Sequence, residues 1–369
     1  MKYFSWLASI KTTVFCLLWL TVLTFWGTMY QAEHGLYRAQ EMFFDSFVFL
    51  GFEIFPLPGA MLVMTVLFVN LLASFFVHYQ AGWKMPGLML IHIGLIMLLL
   101  GGFFTKITGM EANVSLVEGQ GRNLAASLTE WEVLVADELQ NVREIKAVEL
   151  DDLKKGTEFA FDESGLRFRV LEVFDNAKGI EGESGEGVES PSGFRELKPL
   201  PRRKQPEEDL PGLRVAVEGA ANLEEAILWG NDRRPVGLET PEGHVRFLAM
   251  RKRRYELPMF IELKDFQRTL YPGSEIPKDY RSLITVHLGD EVERDVVIKM
   301  NEPFRLNGWT FYQQSFAIQD NTELSVFAVT RNFGRLIPYW ATGITSLGLA
   351  MHFLQMQLMQ LRRRKRKSA

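Results

Sequence analysis

Three apolar stretches occupy the start of the chain and a fourth lies near its end, with about 230 mostly polar residues between the third and the fourth. A bilayer core takes roughly 20 apolar residues per helix. The stretches Thr12–Tyr30, Leu57–His78, Pro86–Thr105 and Leu336–Gln357 meet that length. Lipid offers no partners to backbone N–H and C=O groups, so each stretch is expected to be a helix. The fold class expected is a membrane protein of α+β type, with four transmembrane helices (three N-terminal, one C-terminal) and a large β-rich extracytoplasmic domain between the third and fourth. The boundaries are 1–105 for the three-helix region with a short external loop, 106–335 for the outer domain, 336–357 for the fourth helix and 358–369 for a basic cytoplasmic tail.

Orientation follows from Lys and Arg in the short flanks, because long translocated domains do not count. Lys2 and Lys11 precede the first span, Lys84 lies between the second and third, and Arg362, Arg363, Arg364, Lys365, Arg366 and Lys367 follow the fourth. The first external loop holds Arg38 against Glu33, Glu41, Asp45 and Glu53. Both termini are therefore expected in the cytoplasm and Lys106–Arg335 outside. Trp26, Tyr30, Trp83, Tyr339 and Trp340 fall near span ends, where amphipathic rings favour the headgroup layer. A cleaved signal peptide is the other reading of the first span, but its exit FWGTMYQ lacks a small-x-small site. The net charge of −4 says little, since an acidic outer domain and a basic tail average out. Nothing in the pattern points to nucleic acid.

Cys16, the single cysteine, lies inside the first span. That excludes an intrachain disulfide, a CxxC redox pair and a thiolate metal cluster. In the outer domain, Leu166–Phe174 and Met259–Phe266 alternate apolar and polar residues, the period of a half-buried strand. Leu283–Leu288, Gly289-Asp290 and Glu291–Met300 read as a hairpin, and Gly308–Phe316 and Glu323–Thr330 as late strands. Residues 176–212, rich in Gly, Glu, Ser and Pro, are expected to be a flexible insertion. Ala220–Leu228 reads as a short helix. The whole suggests an antiparallel sandwich or barrel. There is no internal repeat, phosphate loop or Ser–His–Asp cluster, so no catalytic residue and no metal site is assigned.

Of the six histidines, His34 and His244 lie in polar outer stretches, His287 in an expected strand and His78 at a span end. His92 and His352 are embedded in spans, where an ionisable residue is costly and marks a candidate site. At 1.5 Å per residue both lie about 9 Å from the cytoplasmic side. Two imidazoles at matched depth suit one haem iron or a metal; bonding to neighbouring backbone is the alternative for each. Gly94, Gly101 and Gly102 beside His92 allow close approach by either another helix or a flat ligand.

The whole chain resembles the ResB (CcsB) family of system II cytochrome c maturation. The resemblance rests on WLASIKTTVFCLLWLTVLTFWGTMYQ, HIGLIMLLLGGFFT, VEGQGRN, LPMFIELKDFQRTLYPGSEIPKDYRSLITV and IKMNEPFRLNGWTFYQQSF, with Asn301 and Pro303 in the last, all in order. It is thinnest from Thr129 to Pro258. The resemblance implies a membrane subunit that carries haem b outward and presents it to a CxxCH apocytochrome c. The far side is a periplasm, a cell exterior or a plastid lumen, and length and the basic tail fit a bacterial inner membrane best. The partner it implies is a CcsA/ResC-type WWD-domain membrane protein, with thiol-reducing proteins acting indirectly. No tryptophan-rich segment occurs here, so the chain is expected to be a non-catalytic or co-catalytic part of a haem lyase complex. Fused members carry a transmembrane histidine matching His92, paired with one from the partner half; this makes His92 the expected haem ligand and competes with a His92–His352 pair. The resemblance leaves His352 a candidate cofactor-binding residue. A membrane scaffold without haem contact, or a transporter or assembly subunit with a periplasmic domain, is the alternative. The aromatics Trp309, Phe311, Tyr312 and Phe316 are either core packing or a docking surface.

Overall fold

A computed structural model describes residues 7–52, 54–80, 85–136, 145–161, 165–182, 188–289, 292–319 and 322–368. The chain divides into a helical unit, Met1–Met110 with Arg331–Ala369, and a β unit, Glu111–Thr330.

Four long helices make up most of the first: α1 (Ile10–His34), α2 (Ala60–Gln80), α3 (Pro86–Thr108) and α4 (Ile337–Ser368). The first three are long and apolar enough to cross a membrane. The expected fourth span is present as a helix but is not among those three. Pro338, Tyr339, Trp340, Thr342, Thr345, Ser346 and His352 dilute its apolar run, and it continues unbroken into Arg362, Arg363 and Arg364.

The loop between α1 and α2 is built rather than loose. A short helix Leu36–Ala39 runs into a π turn, Gln40–Phe44, and then a hairpin of Val48–Gly51 against Phe55–Pro58. Phe43, Phe49, Leu23 and Ala60 are buried together, with Trp19, Trp26 and Tyr30 packed on them. The Trp19 indole N–H donates to the Pro58 carbonyl at 2.8 Å.

One polar residue in α2 escaped the hydropathy pattern. Asn70 is 3 % exposed. Its amide donates to the carbonyls of Leu7 (2.6 Å) and Ser9 (3.0 Å), and its oxygen accepts from the Thr13 hydroxyl at 2.6 Å. A buried amide must be paired to be tolerated, so Asn70 fixes the start of α1 against the middle of α2.

In the β unit the strand pairs described below are antiparallel, and Glu225–Trp229 runs parallel to Val188–Glu189. The 26-residue strand Val245–Leu270 is its spine. Its first half pairs with Val236–Glu239 and with the second half of Gly121–Ala136. These strands face a five-stranded sheet containing Leu166–Phe174 and Gly212–Glu218, enclosing a core that includes Phe168, Leu213, Val215, Leu238 and Leu248. The second half pairs with Pro277–Leu288, which pairs in turn with Val292–Lys299. The expected hairpin is thus present, although Asp290 and Glu291 of its turn lie outside the described residues. The other end of the ten-stranded sheet is formed by Trp309–Gln319, Thr322–Arg331 and Phe304–Leu306. That end curls back: Ser282, Gln313 and Ser325 form a closed buried triangle of hydrogen bonds at 2.7, 2.9 and 2.8 Å.

Two local expectations fare differently. Ala220–Leu228 is not a helix: Glu225–Trp229 is a strand, because Ala226, Ile227 and Leu228 are all buried and a strand in the sheet can bury successive residues. Within 176–212, the described residues include Ala177–Glu181 paired with Phe194–Pro199. Ala177, Phe194 and Leu197 are buried there, and Asn176 holds the ends together through Pro201 O and Leu210 N–H. Composition underrated these few apolar anchors.

The RKRR run in the spine is largely neutralised: Arg251 pairs with Glu132 at 2.7 Å, and Arg253 with Glu130 and Glu149 at 3.2 and 2.8 Å. Lys252 instead lies over the Trp131 ring, 4.4 Å from its centroid, and donates to Leu128 O at 2.6 Å. Burial pushes its pKa down to about 8, against the opposing pull of Glu207 and Asp209. Between that value and the unfolded 10.5 the unfolded chain binds the extra proton, so stability rises with pH. Thermal melts from pH 7.5 to 9.5 should show this rise, and Lys252→Met should flatten it. An equal slope in both proteins would refute it.

Candidate functional site

The helical unit holds both histidines singled out from the sequence, on α3 and α4. These helices meet along small residues. A Cβ at Gly87 would lie 2.5 Å from His352 N and 2.7 Å from Gly348 O; one at Gly94 would lie 2.8 Å from Ala341 O; one at Gly101 would strike Ile337. A Cβ at Gly348 would in turn meet Ile91 N at 2.8 Å. Gly94 and Gly101 therefore serve helix packing. Gly102 differs, with nothing within 4 Å of its Cβ position. It faces open space.

His92 sits five residues beyond Gly87, about 140° around the helix. It is carried on a different face of α3 from the glycine seam. Its Nδ1 lies 2.8 Å from the Leu88 carbonyl, one turn back. A carbonyl only accepts, so Nδ1 carries the proton and the lone pair resides on Nε2. Leu99 and Phe103 follow at seven and eleven residues on the same side, Phe103 half exposed. An imidazole fixed through Nδ1–H to a backbone carbonyl keeps its lone pair on Nε2, which is the chemistry a haem-iron ligand would need.

His352 has other surroundings. Its backbone packs against Gly87 in the seam, and its Nδ1 is buried without a hydrogen-bond partner, as is Gln355 Oε1 one turn on. A buried acceptor or donor left unmade is costly, and His287 Nε2 in the β unit is in the same position. His92 and His352 are thus candidate ligands in separate settings.

Two of the other histidines have neighbours in their own units. His34 stacks on Tyr30 with ring centroids 3.9 Å apart. His287 lies between Glu262 (3.6 Å) and Glu293 (3.3 Å). No group of three metal-ligating side chains occurs among the described residues. Of the late aromatics, Trp309 and Phe311 are buried, Phe316 packs on Phe266 and Tyr280, and Tyr312 is exposed.

The quoted sequence blocks also converge in space. Glu118 of VEGQGRN accepts from the Phe266 N–H at 2.7 Å, and Gly119 N–H donates to Leu263 O at 2.8 Å. Tyr280 of the long block donates to the Gln314 carbonyl of the aromatic strand at 3.1 Å. These blocks form one continuous framework around the second half of the spine strand.

A model of the ResB-like family matches residues 240–357, which takes in most of this framework and α4 as far as Gln357. Over those residues the chain is similar to the ResB-like family. Protein NrfI of Wolinella succinogenes is 23% identical over 296 residues, covering 79% of this chain and 30% of that protein. The chain thus spans about three-tenths of the length of the curated relative it matches. The ResB-like match contains His352 and the Ser282–Gln313–Ser325 triangle; His92 and the first three helices precede it.

Proposed function

We propose that this chain is a membrane subunit of cytochrome c biogenesis that helps to carry haem across the membrane and present it for covalent attachment to an apocytochrome c. The ResB-like match and the likeness to NrfI support the biogenesis role. The observation that supports the haem reading is the Nδ1–H bond of His92 to Leu88 O, which leaves the ring's lone pair on Nε2, on a helix long enough to cross a bilayer.

In this reading α4 is the fourth span. The basic run after it and Lys84 keep both termini in the cytoplasm, and the β unit is periplasmic at a bacterial inner membrane. Haem is cargo, and His92 meets it in the cytoplasmic half. The apolar surface along Leu99 and Phe103 leads outward from His92 and keeps water from the iron. His352, with its orphaned Nδ1, is a second contact on the way. A CcsA/ResC-type WWD-domain protein completes the site, and thiol-reducing proteins keep the CxxCH cysteines ready.

The glycine seam supports a second reading. It is filled by α4 itself, as a scaffold for a partner would require.

Deletion and complementation test the role. Cells lacking this chain should lose covalently bound haem in their c-type cytochromes, and regain it only when chain and partner are both supplied. Normal cytochromes in the deletion strain would overturn the biogenesis role.

A further inference from the structure

The spine strand carries an edge that the fold leaves open. Toward its end a bulge between Leu263 and Asp265 shifts the register against Pro277–Leu288. Past the bulge, Phe266 N–H turns away from that partner and donates to Glu118 Oε1 at 2.7 Å, while Tyr271 N–H, on the other side, donates to Ile276 O at 3.0 Å. Antiparallel ladders alternate. Asp265, Gln267 and Thr269 therefore pair inward. A second register shift, between Thr269 and Leu270, places its extra residue, Lys278, on the partner strand. Tyr271 N–H again bonds inward, so Phe266, Arg268 and Leu270 present N–H and C=O outward. The strand on that side, Gly121–Ala136, begins opposite Glu262 and stops short of them. Glu118 stands in for the missing strand at Phe266. Arg268 and Leu270 are exposed, and among the described residues no strand covers that edge.

Beside this segment lies a cleft of about 610 Å³, lined by Phe266 and by the polar Gln267, Arg268, Thr269, Asp279, Arg281 and Glu323. Arg268 pairs with Glu323 at 3.1 Å, and Arg281 donates to Gln267 Oε1 at 2.9 Å. Two guanidinium groups and two carboxylates suit a chain of mixed charge. A porphyrin would want apolar walls.

We propose that Phe266–Leu270 is an augmentation edge, which takes an extended segment of an unfolded polypeptide as an added strand. Main-chain bonds to Arg268 and Leu270 hold it, and the charged cleft selects side chains of both signs. The inference rests on the biogenesis reading only in identifying that polypeptide as an apocytochrome c.

The test uses the full chain in detergent and a fluorescein-labelled, mixed-charge ten-residue peptide with Ser-x-x-Ser-His in place of Cys-x-x-Cys-His. Two derivatives carry N-methyl groups on alternate residues, in opposite phase. One phase should lose roughly tenfold in affinity, the loss of about two ladder bonds, and the other should bind as the parent does. Arg268→Pro should weaken binding similarly. Its N–H faces outward, so the inner ladder is kept, and protection of the Gln267 and Thr269 amides from hydrogen exchange confirms the fold. Arg268→Ala, which keeps that N–H, should retain more affinity than Arg268→Pro. Equal binding of both methylated phases, or no binding of the parent peptide, would overturn the proposal. A scrambled peptide that binds equally well with the same phase dependence would support the edge while counting against the apocytochrome assignment. His92→Ala should leave peptide binding unchanged, which keeps this test separate from the haem reading.

Discussion

His92→Ala, co-expressed with a CcsA/ResC-type partner and purified in detergent, is expected to lose most of the haem absorbance that the unaltered complex shows. The variant removes a whole axial ligand, and losses of 10–100-fold in metal affinity follow even from removing groups that only orient one. The helix should survive, because the His92 Nδ1 bond to Leu88 O lies within its own preceding turn. Added imidazole should restore much of the absorbance by filling the vacated position. Haem that stays at wild-type level in a folded variant complex would leave the chain as a scaffold.

The second large effect belongs to the α3–α4 seam. Gly94→Leu puts a branched side chain where a Cβ alone would lie 2.8 Å from Ala341 O and 3.0 Å from Thr345 N. Those are backbone atoms of a packed helix and do not rotate aside. Overpacking of this kind costs typically about 1–3 kcal/mol, and with backbone as the obstacle the upper end is expected. Unfolding in detergent should move to a clearly lower temperature. Gly102→Leu is the matched control, since nothing lies within 4 Å of its Cβ position, and it should leave the transition almost unmoved. Similar losses in both variants would mean that the seam is not what holds the two helices.

The first three long apolar helices were legible because hydropathy is a sum over some 20 residues and forgives single exceptions. The same averaging hid Asn70, whose partners Leu7, Ser9 and Thr13 lie about sixty residues away. In the β unit, alternation located Leu166–Phe174 and Met259–Phe266 but missed how far the spine strand extends, since its RKRR segment is charged and finds its carboxylates on neighbouring strands. The helix read into Ala220–Leu228 came from local Ala, Glu and Leu preference, which burial of Ala226, Ile227 and Leu228 overrode. Asn307-Gly308 was readable in principle: both have positive φ, 48° and 83°, and close the hairpin in which Leu306 faces Trp309. The candidate site was half visible. A histidine inside a span can be found by eye, but the orphaned Nδ1 of His352 and the distinct face of His92 depend on how α3 meets α4.

The central claim is that Nε2 of His92 binds haem iron, and His92→Met tests it most directly. The thioether keeps a ligand of similar reach but changes its electronic character, and a methionine ligand raises the haem potential. Redox titration of the purified complex should give a higher midpoint potential than the parent, with a thioether-to-iron charge-transfer band in the oxidised spectrum. An unchanged potential and spectrum in a complex with full haem would contradict the assignment.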